Sequence, residues 1–310
     1  MIHGGGHVML SRRDVRPKQT PILHSMGFLP ISIDYRLCPE TTLVDGPMSD
    51  VCDALNWARS TLPNLPLLAQ GLKIDASRIA IVGWSTGGHL AMTTAFTSVQ
   101  RGLAPPTAIL AFYCPTDYED PCWQNPNYPE SSRELAQSTD YDLLAGVQDR
   151  PITAYQVSAK MRAVGGWMAP QDPRSRIVLH MNWKGQCLPV LLRGLPGSGC
   201  VSAEQGRSLL EQSQPSKQEI QAVSPYAQIS QGKYTTPTAV VHGTEDDLIP
   251  WAQSQRTVEA LKQRGVHSEL ILVEDKVHLF DLYPDSDGKG GEALHKAYDF
   301  LAREIFGDSN

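Results

Sequence analysis

Residues 78–92 read Arg78-Ile79-Ala80-Ile81-Val82-Gly83-Trp84-Ser85-Thr86-Gly87-Gly88-His89-Leu90-Ala91-Met92. Arg78 to Gly83 is a short β-branched apolar run of the kind that forms a buried strand in a parallel sheet. Thr86 to Ser98 is rich in small and apolar residues and predicts a buried helix. Between them Gly83-x-Ser85-x-Gly87 fits the G-x-S-x-G elbow, a strained turn that carries its serine between a strand and a helix. Glycine is needed on both sides because a side chain there would collide with the neighbouring strand or helix. The turn holds the serine hydroxyl out at the C-terminal edge of the sheet, where α/β folds place ligands. The pattern alone arises often by chance; its flanking elements give it weight.

The same alternation extends outward. Phe28 to Asp34 and Thr107 to Phe112 predict further strands, as do Thr238 to Gly243 and Ser268 to Val273. Helices are predicted from Ser49 or Asp50 to Ser60, from Trp251 to Arg264 with Gly265 as the stop, and from Gly291 to Phe306. Strands alternating with helices predict an α/β fold, a mostly parallel sheet covered on both faces. From Cys114 to about Pro225 the pattern breaks into Pro- and Gly-rich stretches, with helix-like segments near 152–164 and 203–214. A structureless loop of that length does not fit a compact domain, so it reads as a partly ordered lid or cap. The chain is therefore expected to be one domain, residues 1–310, with a core of 1–113 and 226–310 and an insertion of about 114–225.

Composition excludes several classes. The 310 residues carry 41% hydrophobic and 19% charged side chains, ordinary globular usage. With 27 Lys+Arg against 33 Asp+Glu, a net charge of −6 and no basic block, a nucleic-acid or anionic-membrane surface is not expected. No run approaches the roughly 18 apolar residues that cross a bilayer, and the first residues hold no apolar signal region. The six cysteines (Cys38, Cys52, Cys114, Cys122, Cys187, Cys200) have irregular spacing and no CxxC pair, so no metal site is expected. Free thiols and a cytoplasmic location are the expectation.

Three further stretches carry chemistry. His3-Gly4-Gly5-Gly6 has the glycine run that lets backbone N–H groups face a ligand; with the N–H after the serine, that of Thr86, it can build an oxyanion hole. By itself a terminal glycine run reads more simply as a frayed tail. Gly243-Thr244-Glu245-Asp246-Asp247 places acids at the end of a predicted strand, two of them expected to be solvated turn residues. Lys276-Val277-His278-Leu279 follows the next strand. Serine, acid and His278 then occur in the chain order of the α/β-hydrolase triad.

The chain resembles α/β hydrolases of the hormone-sensitive-lipase and acetyl-esterase type in His3-Gly4-Gly5-Gly6, Asp34-Tyr35-Arg36-Leu37-Cys38-Pro39-Glu40, Ser85-Thr86-Gly87-Gly88-His89-Leu90-Ala91 and His242-Gly243-Thr244. It is more similar still to the C-terminal esterase or thioesterase domain of fungal non-reducing polyketide synthases. That likeness lies in Gly83 to Met92, Phe112 to Tyr118, Met181-Asn182-Trp183 and Val223-Ser224-Pro225-Tyr226-Ala227, and it covers nearly the whole chain. The resemblance implies Ser85 as nucleophile, His278 as base and, from the Gly-Thr-x-Asp pattern, Asp246 as the acid. It implies an oxyanion hole from the N–H groups of Gly5, Gly6 and Thr86. Asp34-Tyr35-Arg36, His7, His89 and His242 fall at scaffold positions.

The implied activity is a serine hydrolase cleaving an ester or thioester, releasing or editing a polyketide acyl group held on an acyl carrier protein, with no cofactor. The alternatives are a carboxylesterase for small esters, an acyltransferase, and a non-catalytic binding protein on the same fold. Trp84, Trp123, Trp167 and Trp183, with Tyr128, are expected at the acyl pocket, although lid core explains such aromatics equally well. The chain departs from the family at its start. Members carry several strands before the glycine motif, and here only Met1-Ile2 precede His3. The expectation is an apparently truncated N-terminus: a shortened chain, a fragment of a larger synthase, or a poorly held oxyanion loop. Each donor displaced from such a loop would cost about 2.7–4 kcal/mol of transition-state stabilisation.

Overall fold

A computed structural model describes residues 1–66, 73–126, 146–148, 150–158, 171–193, 214–283 and 285–307. Among these, four strands form one parallel sheet in the order β1 (Ala80–Trp84), β2 (Ala108–Phe112), β3 (Thr238–Gly243), β4 (Ser268–Val273). Spatial order equals chain order, so each connection must cross over a face of the sheet. The helices are α1 (Thr20–Ser25), α2 (Ser49–Ser60), α3 (Thr86–Gln100), α4 (Pro173–Trp183), α5 (Cys187–Arg193), α6 (Lys217–Val223), α7 (Pro225–Ser230), α8 (Trp251–Gln263) and α9 (Lys289–Phe306).

The two faces of the sheet make two cores. Along β1 and β2 the side chains alternate: Ile81, Ile109 and Ala111 point to the side of α2, α3 and α8, whereas Val82, Trp84, Leu110 and Phe112 point to the side of α1 and α9. Every residue of β2 and β3 is buried, which explains why these strands read as unbroken apolar runs. Helix α9 presents Ala293, Ala297, Tyr298, Leu301 and Ile305 at helical spacing to its face. Burying each large apolar side chain stabilises the fold by about 1.5–3 kcal/mol.

Two segments differ from the sequence reading. Phe28 to Asp34 is no strand: only Ile33 makes a bridge, to Ile2. The run is half-buried, and Pro30 has no N–H to give to a ladder. Residues 152–158 are not helical; Tyr155 instead forms an antiparallel bridge with Leu10 through two backbone bonds (2.8 and 3.0 Å). The remainder of that predicted helix (159–164) and residues 203–213 of the other lie outside the described residues. The described parts of the insertion pack into the α3 side of the core through Ile177, Val178 and Met181 of α4 and Leu188, Val190 and Leu191 of α5.

Candidate active site

The elbow has the strain that its sequence implies. Ser85 has φ 54°, ψ −129°, outside the ordinary regions for a side-chain-bearing residue. A Cβ on Gly83 would stand 2.1 Å from the Gly87 carbonyl oxygen, and one on Gly87 would stand 2.3 Å from that of Ile2. Glycine is obligatory at both. The Ser85 N–H donates to Phe112 at 2.9 Å, fixing the turn against the end of β2.

Three side chains from three strand ends meet here. His278 Nε2 lies 3.1 Å from Ser85 Oγ, and His278 Nδ1 lies 2.7 Å from Asp246 Oδ2. Facing a carboxylate, Nδ1 carries the proton, which leaves the Nε2 lone pair toward the serine hydroxyl. The Asp246 side chain is fully buried. Burial acts to raise its pKa, but hydrogen bonds from His242 and His278 outweigh it and hold the carboxyl below its ordinary range. Its other oxygen accepts from the N–H groups of Leu248 and Ile249. Glu245 and Asp247 are exposed, as expected of turn residues.

The glycine motif lies against the elbow. A Cβ on Gly4 would come within 2.7 Å of the Trp84 carbonyl oxygen, and Gly5 and Gly6 have φ +99° and +66°. Among the described residues, the N–H groups of Gly5, Gly6 and Thr86 have no backbone acceptor. The loop is firmly held, contrary to one of the expectations above. Ile2 takes a strand's place beside β1, its N–H donating to Val82 (2.8 Å) and its carbonyl accepting from Trp84 (3.3 Å). Tyr35 donates to the carbonyls of His3 and Gly4, and the His7 N–H donates to Thr86 Oγ1. His3 and His89 are buried, which lowers each pKa to about 4 and keeps the rings neutral; burial, with the neighbouring His89 and His3, also holds His7 well below its usual value.

Gly5, Gly6, Ser85, Thr86 and His278 open on a cavity of about 350 Å³. Trp84, Trp123 and Trp183 line it with Tyr118, Val178 and Leu282. Trp84 stacks on Phe112 with ring centres 5.7 Å apart, and Trp123 donates to the Asp117 carbonyl at 2.8 Å. Trp167 and Tyr128 lie outside the described residues.

Residues 1–157, half of the 310, match the family model described as alpha/beta hydrolase fold. The chain belongs to the α/β-hydrolase fold family. Residues 203–307 of this α/β-hydrolase chain also match the prolyl oligopeptidase family. It is 63% identical over 99% of its length to non-reducing polyketide synthase pkbA of Emericella nidulans, covering 13% of that protein. It is 55% identical over 98% of its length to 5-methylorsellinic acid synthase of Aspergillus terreus, covering 12% of it. The hydrolase chain thus spans about an eighth of the length of these curated relatives. Among solved structures, it superposes on carboxyl esterase 2 of Tuber melanosporum with a TM-score of 0.55 at 16% identity, over 98% of this chain and 77% of that one. A Staphylococcus aureus protein of unknown function gives a TM-score of 0.64 at 17% identity, over 98% and 88%.

Motif reading missed a buried network beside the hydrolase's histidine. The Tyr113 ring meets His278 edge-on, with centres 4.8 Å apart. The Tyr113 hydroxyl donates to Asp281 (2.5 Å) and accepts from Arg16 (2.6 Å), and Arg16 also pairs with Asp281 at 2.8 Å. Burial opposes the charge on Arg16, but Tyr113 and Asp281 more than offset it and raise its pKa. Its guanidinium sits 5.5 Å from the Trp84 ring centre, within cation–π range. Tyr113 and Asp281 are distant from Arg16 in sequence and no short motif links them. The only local signal was the position of Asp281, three residues after His278.

Proposed function

We propose that this chain is a serine hydrolase that cleaves a polyketide acyl ester or thioester. The observation that carries the reading is the line Ser85 Oγ, His278 Nε2, His278 Nδ1, Asp246 Oδ2, opening on an apolar cavity. Ser85 attacks the acyl carbonyl as its proton passes to His278 Nε2, and the carbonyl π pair moves onto oxygen. The N–H groups of Gly5, Gly6 and Thr86 face that oxyanion. Collapse expels the alcohol or thiol, which takes the proton from His278. Water, deprotonated by the same nitrogen, then releases the acid. Asp246 keeps the imidazole in the required tautomer and stabilises the imidazolium.

The substrate class rests on the 63% identity to a polyketide synthase. In this reading the chain is one domain: residues 1–113 and 226–310 form the catalytic core, and the insertion, residues 114–225, walls the acyl pocket. The partner is an acyl carrier protein presenting the thioester in the cytoplasm. Turnover of aryl-polyketide thioesters on a carrier protein, compared with short p-nitrophenyl esters, tests this, with the product identified by mass. Faster release from the carrier supports it. Preference for short esters favours a small-ester carboxylesterase, transfer to an added alcohol an acyltransferase, and binding without turnover a non-catalytic protein.

A further inference from the structure

The insertion reaches the glycine loop at three successive places. At Gly6 a Cβ would stand 2.9 Å from both methyl groups of Val178 on α4, so this helix leaves the loop room for glycine alone. At Val8 the carbonyl accepts from Arg174 Nε at 2.6 Å. At Leu10 the backbone pairs with Tyr155. Arg174 is fully buried and grips Glu40 bidentately (2.6 Å each) as well as the Cys38 carbonyl (2.9 Å). Tyr155 is joined to the same helix by its hydroxyl, which donates at 2.8 Å to Asp172, the residue that caps α4. Val8 and Met9 in turn donate to the Gly5 carbonyl at 3.0 and 3.1 Å, so a shift at Val8 is passed to Gly5.

The geometry points to Arg174 and Val178 as positioning residues for the oxyanion hole, with α4 of the insertion acting as a buttress for the N–H groups of Gly5 and Gly6. A lid that only walled the pocket would act on substrate binding. A buttress on the donors acts on the transition state, where the oxyanion exists. Lysine at 174 keeps the charge but cannot present the planar fork that reaches Val8, Cys38 and Glu40 together. Misplacing a catalytic group by about 1 Å can cost a hundredfold in rate. The inference rests on the serine-hydrolase reading, but its test does not rest on that reading alone.

The experiment compares Arg174→Lys, Val178→Ala and the charge-removing pair Arg174→Met with Glu40→Gln, which leaves no lone buried charge if the single variants fold poorly. The expected result is a kcat at least about tenfold lower, short of the roughly 100–1000-fold loss of a whole donor, with KM within about twofold for the Arg174 variants, since Val178 also lines the cavity. Affinity for a trifluoromethyl ketone, which Ser85 converts to an oxyanion-bearing adduct, falls by the same factor as kcat. For the Arg174 variants, whose side chain does not line the cavity, affinity for the planar methyl ketone stays. Amide exchange at residues 5–10 accelerates while that of β1 to β4 does not change. Unchanged kcat, a change in KM alone, or a uniform loss of protection across the sheet would overturn the inference. If the unaltered chain neither turns over nor is labelled at Ser85, the hydrolase reading fails, and the exchange at residues 5–10 still decides whether α4 holds the loop.

Discussion

His242 shares with His278 a single oxygen of Asp246: its Nε2 lies 3.1 Å from the Oδ2 that His278 Nδ1 approaches to 2.7 Å. His242 Nε2 also faces the Ile249 carbonyl at 3.0 Å, so it carries the proton, and Nδ1 accepts from Ser254 at 2.7 Å. A ring that the family pattern leaves as scaffold thus anchors the acid. Replacing it by alanine strips Asp246 of a donor and leaves the Ser254 hydroxyl unpaired. His242→Ala is expected to lower stability by about 1–3 kcal/mol, read from urea unfolding, and to lower kcat about tenfold, read from ester hydrolysis.

The choice of acid is sharper. Asp246→Asn would leave an amide against Nδ1 and favour the wrong tautomer. The expected loss in kcat is about 10⁴-fold, the size seen when a triad aspartate elsewhere becomes asparagine. Exposed Asp247→Asn is expected to stay within a few fold. Rate constants for the two variants on one ester decide between them, and a larger loss for Asp247→Asn would reverse the assignment.

Much of this was legible in the sequence, for a physical reason. The elbow, the three parallel crossovers and the placing of Ser85, an acid of the Glu245-Asp246-Asp247 run and His278 after strand ends follow from local patterning, since strand ends and tight turns leave short signatures; the choice of Asp246 within that run came from the family resemblance. What was not legible depends on long-range contact. Nothing near Arg16 announces that it will meet Tyr113 and Asp281, and nothing near Val178 announces Gly6. The bridge at Tyr155 was hidden for the same reason: its pairing partner is Leu10, and tertiary context overrode local propensity. The glycine run taken by itself read more simply as a tail, and the resemblance was needed to make it an oxyanion loop, because its support comes from Ile2, Tyr35 and α4.

The elbow glycines give a stability test. Gly87→Ala would push a methyl group against the carbonyl oxygens of Ile2 and His3, at 2.3 and 2.4 Å. Both belong to backbone held by β1 and Tyr35, so neither yields easily. The expected cost is at least about 1–3 kcal/mol, measured as a fall in the urea midpoint without change of slope.

Acid lability follows from the buried histidines. In the unfolded chain His3, His7 and His89 take up protons near pH 6.5, whereas burial holds their folded-state values down, to about 4 for His3 and His89. The unfolded state therefore binds more protons between these limits. Their stabilisation is complete above about pH 6.5 and declines as pH falls toward 4. Each pH unit of separation corresponds to about 1.4 kcal/mol. Tm is expected to drop through this window, before most carboxylates titrate, and His89→Gln is expected to make the drop shallower. A Tm flat from pH 7 to 5 would contradict this.

The most direct measurement is labelling with a fluorophosphonate probe, set beside p-nitrophenyl ester hydrolysis, for the unaltered chain and for Ser85→Ala. The expected result is stoichiometric labelling and turnover in the first, and neither in the second while its Tm is retained. Labelling that persists in Ser85→Ala would place the nucleophile elsewhere and contradict the central claim.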